Sequence, residues 1–314
     1  MSNRIINLPF FKIKNGSVFY LEKCKYPPLD GLQLTGALKD KLLIDEGIII
    51  QKRHIDKNKK IKEKILVVEP HPDDFALSAS GYTLNALPGG ASVTVLNIFS
   101  KTSVTKFPWR DKINISNKQY EKLRINESII AIEKYLGEKF ESLRLSSPTL
   151  TGDTETYPRG YHQNNLIKDI AKHLENKIIK EKFNTVLCPM AIQGHIAHSI
   201  TFDAVIDAFK SLKQNFDLII YEDIPYARNK TAYFKRLKKL KMMMDMKDFS
   251  VATDKYLEIM ADLAIIYRSQ FDDINRQQML AIIKEDFRAT SPIKKSANEN
   301  IEFSQRYFKV NSLK

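Results

Sequence analysis

His71, Asp73 and Asp74 fall in the string ILVVEPHPDDFALSASG, residues 65–81, where an apolar run halts at Pro70 and a helical pattern begins. The run reads as a buried strand, so the three side chains lie at its carboxyl end, where open α/β sheets place their chemistry. His71 and Asp74 can take one divalent ion from the two sides of a short turn. Asp73, between them in sequence, is then left to hold a water molecule. The plainer alternative is a capped turn, in which Asp73 or Asp74 faces the positive end of a helix and stabilises it by roughly 1 kcal/mol.

A metal needs a further ligand, and the other close histidine pair is His195 and His198 in VLCPMAIQGHIAHSITFDAV. It too follows a strand-like run, Thr185 to Cys188, and precedes helical spacing at Ile200, Ala204, Val205 and Ala208. Two histidines and one carboxylate that leave positions open for water are a common catalytic metal set, with zinc the default occupant. The same donors admit ferrous iron or manganese. His54, His162 and His173 have no partner in sequence and read as solvated or structural.

With these residues in place a resemblance becomes specific. PHPDDFALSASG resembles the first motif of the LmbE-like, or PIG-L-type, N-acetylglucosaminyl deacetylases, and GHIAH resembles their second. RINESIIAIEKYLG, from Arg124 to Gly137, is similar to the family's Arg-x-x-Glu helix, and Tyr267-Arg268-Ser269-Gln270 to its Tyr-x-Ser-Gln. The likeness runs in order over roughly residues 62–308. It implies a Rossmann-like sheet and a zinc-dependent amidase that removes acetyl groups from amino sugars or their glycosides. It further implies His71, Asp74 and His198 as metal ligands, Asp73 as general base, and His195 as electrostatic partner or general acid for the departing amine.

Three departures accompany the likeness. Ile196 and Ala197 replace the Pro-Asp often found in the second motif, which removes a carboxylate that could orient His195. Gln193 stands where some members carry an oxyanion-donating tyrosine, and its amide could donate instead. Ser80-Gly81 replaces a double glycine. Arg124 is a candidate grip on a sugar hydroxyl or phosphate, against the dull alternative of an i, i+3 pair with Glu127.

The elements that must position these residues follow a βα rhythm. Strand-like runs at 64–69, 92–99, 184–188 and 217–221, with a less regular one at 140–145, alternate with helical patterns at 75–87, 117–136, 165–182 and 199–213. The fold class is therefore α/β, a mostly parallel Rossmann-like sheet flanked by helices. The segment 146–164, SSPTLTGDTETYPRGYHQN, reads as a long functional loop walling the pocket, with Tyr157, Arg159 and Tyr161 as sugar contacts. Residues 1–61 form an appended extension, in which Phe11 to Leu21 alternates around Asn15-Gly16 as a hairpin. Residues 62–314 form the deacetylase-like domain.

The chain has 314 residues, 43% hydrophobic and 28% charged, enough apolar material for a sizeable core. No run approaches the ~20 apolar residues of a membrane span, and the amino terminus lacks the features of a signal peptide, so a cytoplasmic location is expected. Cys24 and Cys188 are too few for a disulfide framework; Cys188 reads as a small core residue. The formal charge of +13 includes a basic run at Lys230 to Lys247, read as an amphipathic helix with Phe234, Leu237, Leu240 and Met244 on its buried face. That charge keeps a polyanion- or nucleic-acid-binding protein as the non-enzymatic alternative, though no nucleic-acid motif accompanies it. It also suits an anionic amino-sugar substrate. Two enzymatic alternatives keep the same site: cleavage of a larger N-acyl or thiol-conjugate amide, and an inactive member. The sequence leaves a homo-oligomer open.

Overall fold

The computed structural model describes residues 11–14, 17–20, 49–50, 63–101, 117–148, 161–267, 269–271, 274, 276–290 and 301–314. At the amino terminus, β1 (Phe11–Lys14) and β2 (Ser17–Tyr20) pair antiparallel with Lys14 opposite Ser17, the two-residue hairpin expected from Asn15-Gly16, and β3 (Ile49–Ile50) joins β2.

The core begins with β4 (Glu63–Glu69), a wide helical turn at Phe75–Ala79 and α1 (Ser80–Ala86). Next come β5 (Ala91–Asn97), α2 (Asn117–Ser128) with a widened continuation over Ile129–Leu136, and β6 (Lys139–Ser142). Gly137, at φ 72°, closes that helix in the left-handed conformation a glycine adopts without strain. Then follow α3 (Tyr161–Glu181), β7 (Thr185–Pro189), α4 (Ile196–Ser211) and β8 (Asp217–Tyr221). The chain ends with α5 (Lys230–Met243), β9 (Met244–Ala252), α6 (Leu257–Ile266), α7 (Arg276–Thr290) and β10 (Ser304–Leu313).

The main sheet runs β6-β5-β4-β7-β8-β10-β9; its first five strands are parallel, β10 runs antiparallel to β8, and β9 pairs antiparallel with β10. Both faces are covered. Along β4, Ile65 and Val67 enter one apolar cluster with α2 and α6, while Leu66 and Val68 enter the other with α3 and α4. Strands buried on both faces read as continuous apolar runs, which is why β4 and β8 were legible in sequence. From β4 the chain moves outward to β5 and β6, then returns to the other flank of β4 with β7. The order reverses between β4 and β7, and that reversal point is where such sheets open a crevice at their carboxyl edge.

The expected helix over Lys230 to Lys247 is corrected at its end. Asn229 caps α5, its side chain accepting from the Ala232 amide, but the helix stops at Met243. Met244 is buried in β9 opposite Leu313, and Phe234 is 60% exposed rather than core. Pairing with β10, a partner remote in sequence, overrides the local helical period. In place of a loop to residue 164, α3 already begins at Tyr161. Among the described residues no helix is long and apolar enough to cross a membrane.

Candidate metal site

Three strand ends at the reversal point supply the site. After β4 the chain turns through Pro70, and Glu69, fully buried, accepts from the Phe75 amide at 2.9 Å to cap the wide turn that follows. His71 and Asp74 face each other across that turn: the His71 amide donates to Asp74 Oδ2 at 2.8 Å, and His71 Nδ1 lies 3.7 Å from the same oxygen. After β7, a tight turn at Ile192–Gly194 leads to His195 and then to α4, whose first turn brings His198 Nε2 to 3.6 Å from Asp74 Oδ2. Donor atoms of His71, Asp74 and His198 all lie within 4.8 Å of one another. Asp74, one of the two candidates of the capped-turn alternative, provides no side-chain cap to the helix that it precedes.

The donor chemistry fits a divalent cation. His198, 1% exposed, places Nδ1 2.7 Å from Asp223 Oδ1. A carboxylate at this distance accepts from Nδ1–H, so Nε2 is the nitrogen that faces the site and would bind a metal once its own proton is displaced, as in carboxylate–histidine–metal triads. Asp223 is fixed in turn by the Ile192 amide on Oδ2 at 2.9 Å. Burial alone would lower the His198 pKa, but the Asp74 and Asp223 carboxylates outweigh it and push it up to about 9. A field that holds a proton so firmly would also hold a metal cation. Asp74 shifts the other way: burial would raise it, yet His198 and His71 draw its carboxyl below the usual range.

Asp73 stands apart from the donors. Its backbone adopts φ 137°, a region that a non-glycine residue occupies only under strain and that recurs at functional turns. Burial raises its pKa toward neutrality against the pull of Arg124, the direction a general base needs. Arg124 Nη2 donates to Asp73 Oδ1 at 2.7 Å and also to the Pro72 carbonyl. At 3% exposure Arg124 is sealed behind the first motif, so its contacts are with the Pro72–Asp73 turn rather than with an open surface. Nor does its expected partner engage it by hydrogen bond: Glu127 accepts from the Ser269 amide and hydroxyl at 2.8 and 2.6 Å. The Tyr-x-Ser-Gln stretch thus braces the Arg124 helix, with Gln270 donating to Tyr120 at 2.7 Å.

His195 joins the cluster. Its ring centroid lies 5.5 Å from that of His71 and 5.1 Å from that of His198, and Tyr226 completes a wall at 5.7 and 5.5 Å from His195 and His198. Gln193 is exposed, with a left-handed backbone at φ 63°, and lines a cavity toward α5. Tyr157 and Arg159 lie outside the described residues; Tyr161 opens α3, and its side chain is not among those described. Asp223 and Tyr226 were missed in sequence because no motif marks them. The available signal was position alone, since both directly follow the buried strand β8.

The reversal-point crevice thus holds a His-Asp-His donor set that could take a metal ion, beside a carboxyl raised by burial. Residues 66–209 match the model of the PIG-L family, described as GlcNAc-PI de-N-acetylase. A 2'-N-acetylparomamine deacetylase from Streptomyces fradiae is 28% identical over 185 residues, covering 56% of this chain and 64% of that protein, so the chain spans less than two thirds of that relative's length. A zinc-inhibited form of a teicoplanin deacetylase aligns with TM-score 0.59 and 17% identity over 79% of this chain and 98% of that one. The N,N'-diacetylchitobiose deacetylase of Pyrococcus horikoshii aligns with TM-score 0.53 and 15% identity over 89% and 94%. At these identities the two structures establish a common fold.

Proposed function

We propose that this protein is a zinc-dependent deacetylase that hydrolyses the N-acetyl group of an amino sugar or of a glycoside containing one. The observation that carries the reading is the convergence of His71, Asp74 and His198 within 4.8 Å, with Asp73 beside them. The PIG-L match and the Streptomyces fradiae deacetylase supply the bond class, an acetamide on a sugar. His71, Asp74 and His198 would hold the ion, and a divalent zinc there supplies a Lewis acid that polarises the amide carbonyl and acidifies water.

The protein's own groups perform the proton transfers. Asp73, its carboxyl raised by burial and oriented by Arg124, takes a proton from the attacking water. His195, on the opposite loop, delivers a proton to the sugar nitrogen as the C–N bond breaks, so that acetate and a free amine leave. Asp223 keeps His198 in the one tautomer that leaves Nε2 available. Tyr226 walls the sugar beside the two imidazoles.

The test is acetate release from N-acetylglucosamine glycosides and other N-acetylated amino-sugar conjugates, using apoprotein reloaded in parallel with zinc, ferrous iron or manganese. Asp73→Asn retains stoichiometric metal and loses turnover by about 10²–10⁴-fold. Release of a larger acid in place of acetate overturns the acetyl assignment, and unchanged turnover in Asp73→Asn overturns the base assignment.

A further inference from the structure

The main sheet ends in two unlike edges. β6 has four residues whereas β9 has nine, and among the described residues no strand pairs with β9 on its outer side. Hydrogen bonds at its two ends fix which way its backbone points: the Thr253 amide donates to the Phe303 carbonyl and the Lys314 amide to the Met243 carbonyl, each at 3.0 Å. Such positions alternate along an antiparallel pair, so Asp245, Lys247, Phe249 and Val251 spend their amides and carbonyls on β10. Met244, Met246, Asp248, Ser250 and Ala252 turn theirs outward. Free edges are usually blunted by proline, by bulges or by brevity. β9 contains neither proline nor glycine, and the register shift in its pairing lies on β10, between Val310 and Ser312.

The side chains along this edge match a second copy of themselves. A strand that meets its own copy antiparallel about a two-fold axis pairs residues symmetrically around one centre. Centred on Met246, Met244 faces Asp248 of the second copy, and Asp245 faces its Lys247, so the opposite charges meet twice. These two pairs fall at the positions without ladder hydrogen bonds, where facing side chains come closest. Asp245 and Lys247 are both exposed, and Asp245 accepts from the Asn311 side-chain amide at 3.1 Å. Within its own sheet Lys247 stands opposite a like charge, Lys309, whose Nζ turns to Asp217 at 2.8 Å. A carboxylate arriving on the free side of Lys247 offsets that neighbour. Centring on Asp248 would instead oppose two carboxylates and set Lys247 against Phe249. Apolar groups crowd the same place, for four of the eight methionines of the chain lie at 242–246. Met242 is 68% exposed, and Met243 and Met246 are partly buried at the rim of the apolar cluster beneath α5. Their flexible thioethers suit a surface that must fit a facing one.

We propose that β9 is a homodimer interface, at which a second copy of this chain adds its own β9 antiparallel and joins the two seven-stranded sheets edge to edge about an axis at Met246. A foreign extended peptide could use the same backbone groups, but the doubled Asp245–Lys247 match specifies this chain's own strand.

The test is sedimentation equilibrium of the full chain up to about 100 μM, a range that populates even a weak dimer. The wild type sediments as a dimer. Lys247→Asp sets carboxylate against carboxylate, Asp245→Lys sets lysine against lysine, and each raises the dimer Kd by at least ~tenfold. Both positions are exposed, so the variants keep the wild-type melting temperature when compared as monomers. Mixing the two variants restores opposite charges in both pairs, and the mixture forms a heterodimer with a Kd near the wild-type value. A wild type that stays monomeric throughout overturns the proposal. A dimer undiminished in either variant does so as well, because the contact then lies elsewhere. Two weakened variants that fail to recover on mixing overturn the Met246-centred pairing, since the charges then act without meeting each other.

Discussion

Asp223 Oδ1 lies 2.7 Å from His198 Nδ1, and both side chains are almost wholly buried. The pair fixes which nitrogen of His198 is free, although the two residues come from different loops. Asp223→Asn leaves an amide that can satisfy the imidazole in either tautomer. Metal affinity then falls about 10–100-fold, as measured by competition with a chelator, while the melting temperature of the metal-free protein changes little by comparison. Equal metal affinity in both proteins would show that the pair only packs.

Arg124 and Asp73 form a second pair, 2.7 Å apart, with Arg124 buried and Asp73 partly buried. Arg124→Met removes the cation and leaves the partly buried Asp73 without its main partner. Denaturant unfolding should show a loss of about 3–5 kcal/mol, the usual cost of breaking a buried ion pair. A double-mutant cycle with Asp73→Asn should return a coupling of roughly 1–3 kcal/mol. Additive effects would mean that Arg124 acts through the Pro72 carbonyl alone.

Gly81 is the glycine of the first motif whose smallness the fold demands. A Cβ there would meet Gln305 Oε1 at 2.3 Å, and Gln305 cannot swing aside freely. Its oxygen accepts from the Gly81 amide and from Tyr307, and its Nε2 donates to the Ser78 carbonyl at 2.6 Å. Gly81→Ala should destabilise the protein by about 1–3 kcal/mol in equilibrium unfolding. The neighbouring Ser80 fits because its hydroxyl donates back to the Ala76 carbonyl at 2.7 Å.

Glu222, 1% exposed, has its pKa raised to about 7, chiefly by burial and against the hydrogen bond from Tyr233. A carboxyl whose folded pKa lies above its unfolded value near 4.5 favours the native state most at low pH, and that contribution is lost as pH rises through about 7. Glu222→Gln, which can still accept from Tyr233, removes the loss. Thermal melts from pH 5 to 8 should show the variant gaining on the wild type by roughly 1–3 kcal/mol at the upper end. Parallel curves would place the ionisation elsewhere.

How much was legible in the sequence depended on whether the deciding interaction was local. Val67 and Ile219 announce buried strands through their own apolar neighbours, and the Asn15-Gly16 turn implies its hairpin, so most of the parallel sheet and β1-β2 could be read directly. The strands β9 and β10 could not. Met244-Asp-Met-Lys-Asp-Phe continues the lysine-rich helical period of α5, and only pairing with Ser304–Leu313, some sixty residues on, makes it extended. Phe234 was assigned to a core face by the same period and stands in solvent.

The first and second motifs by themselves singled out the histidines and carboxylates that the fold brings together, because such a side chain at a strand end retains its ligand character whatever surrounds it. Tertiary structure alone decided what those side chains are paired with. Asp223 on His198 and Arg124 on Asp73 join segments that no local pattern relates, and they became neighbours through the strand order, which reverses between β4 and β7. Spacing along a chain records what repeats within a helix or strand; contacts across a crevice depend on how strands are ordered, and that is fixed only when the whole sheet closes its two apolar faces.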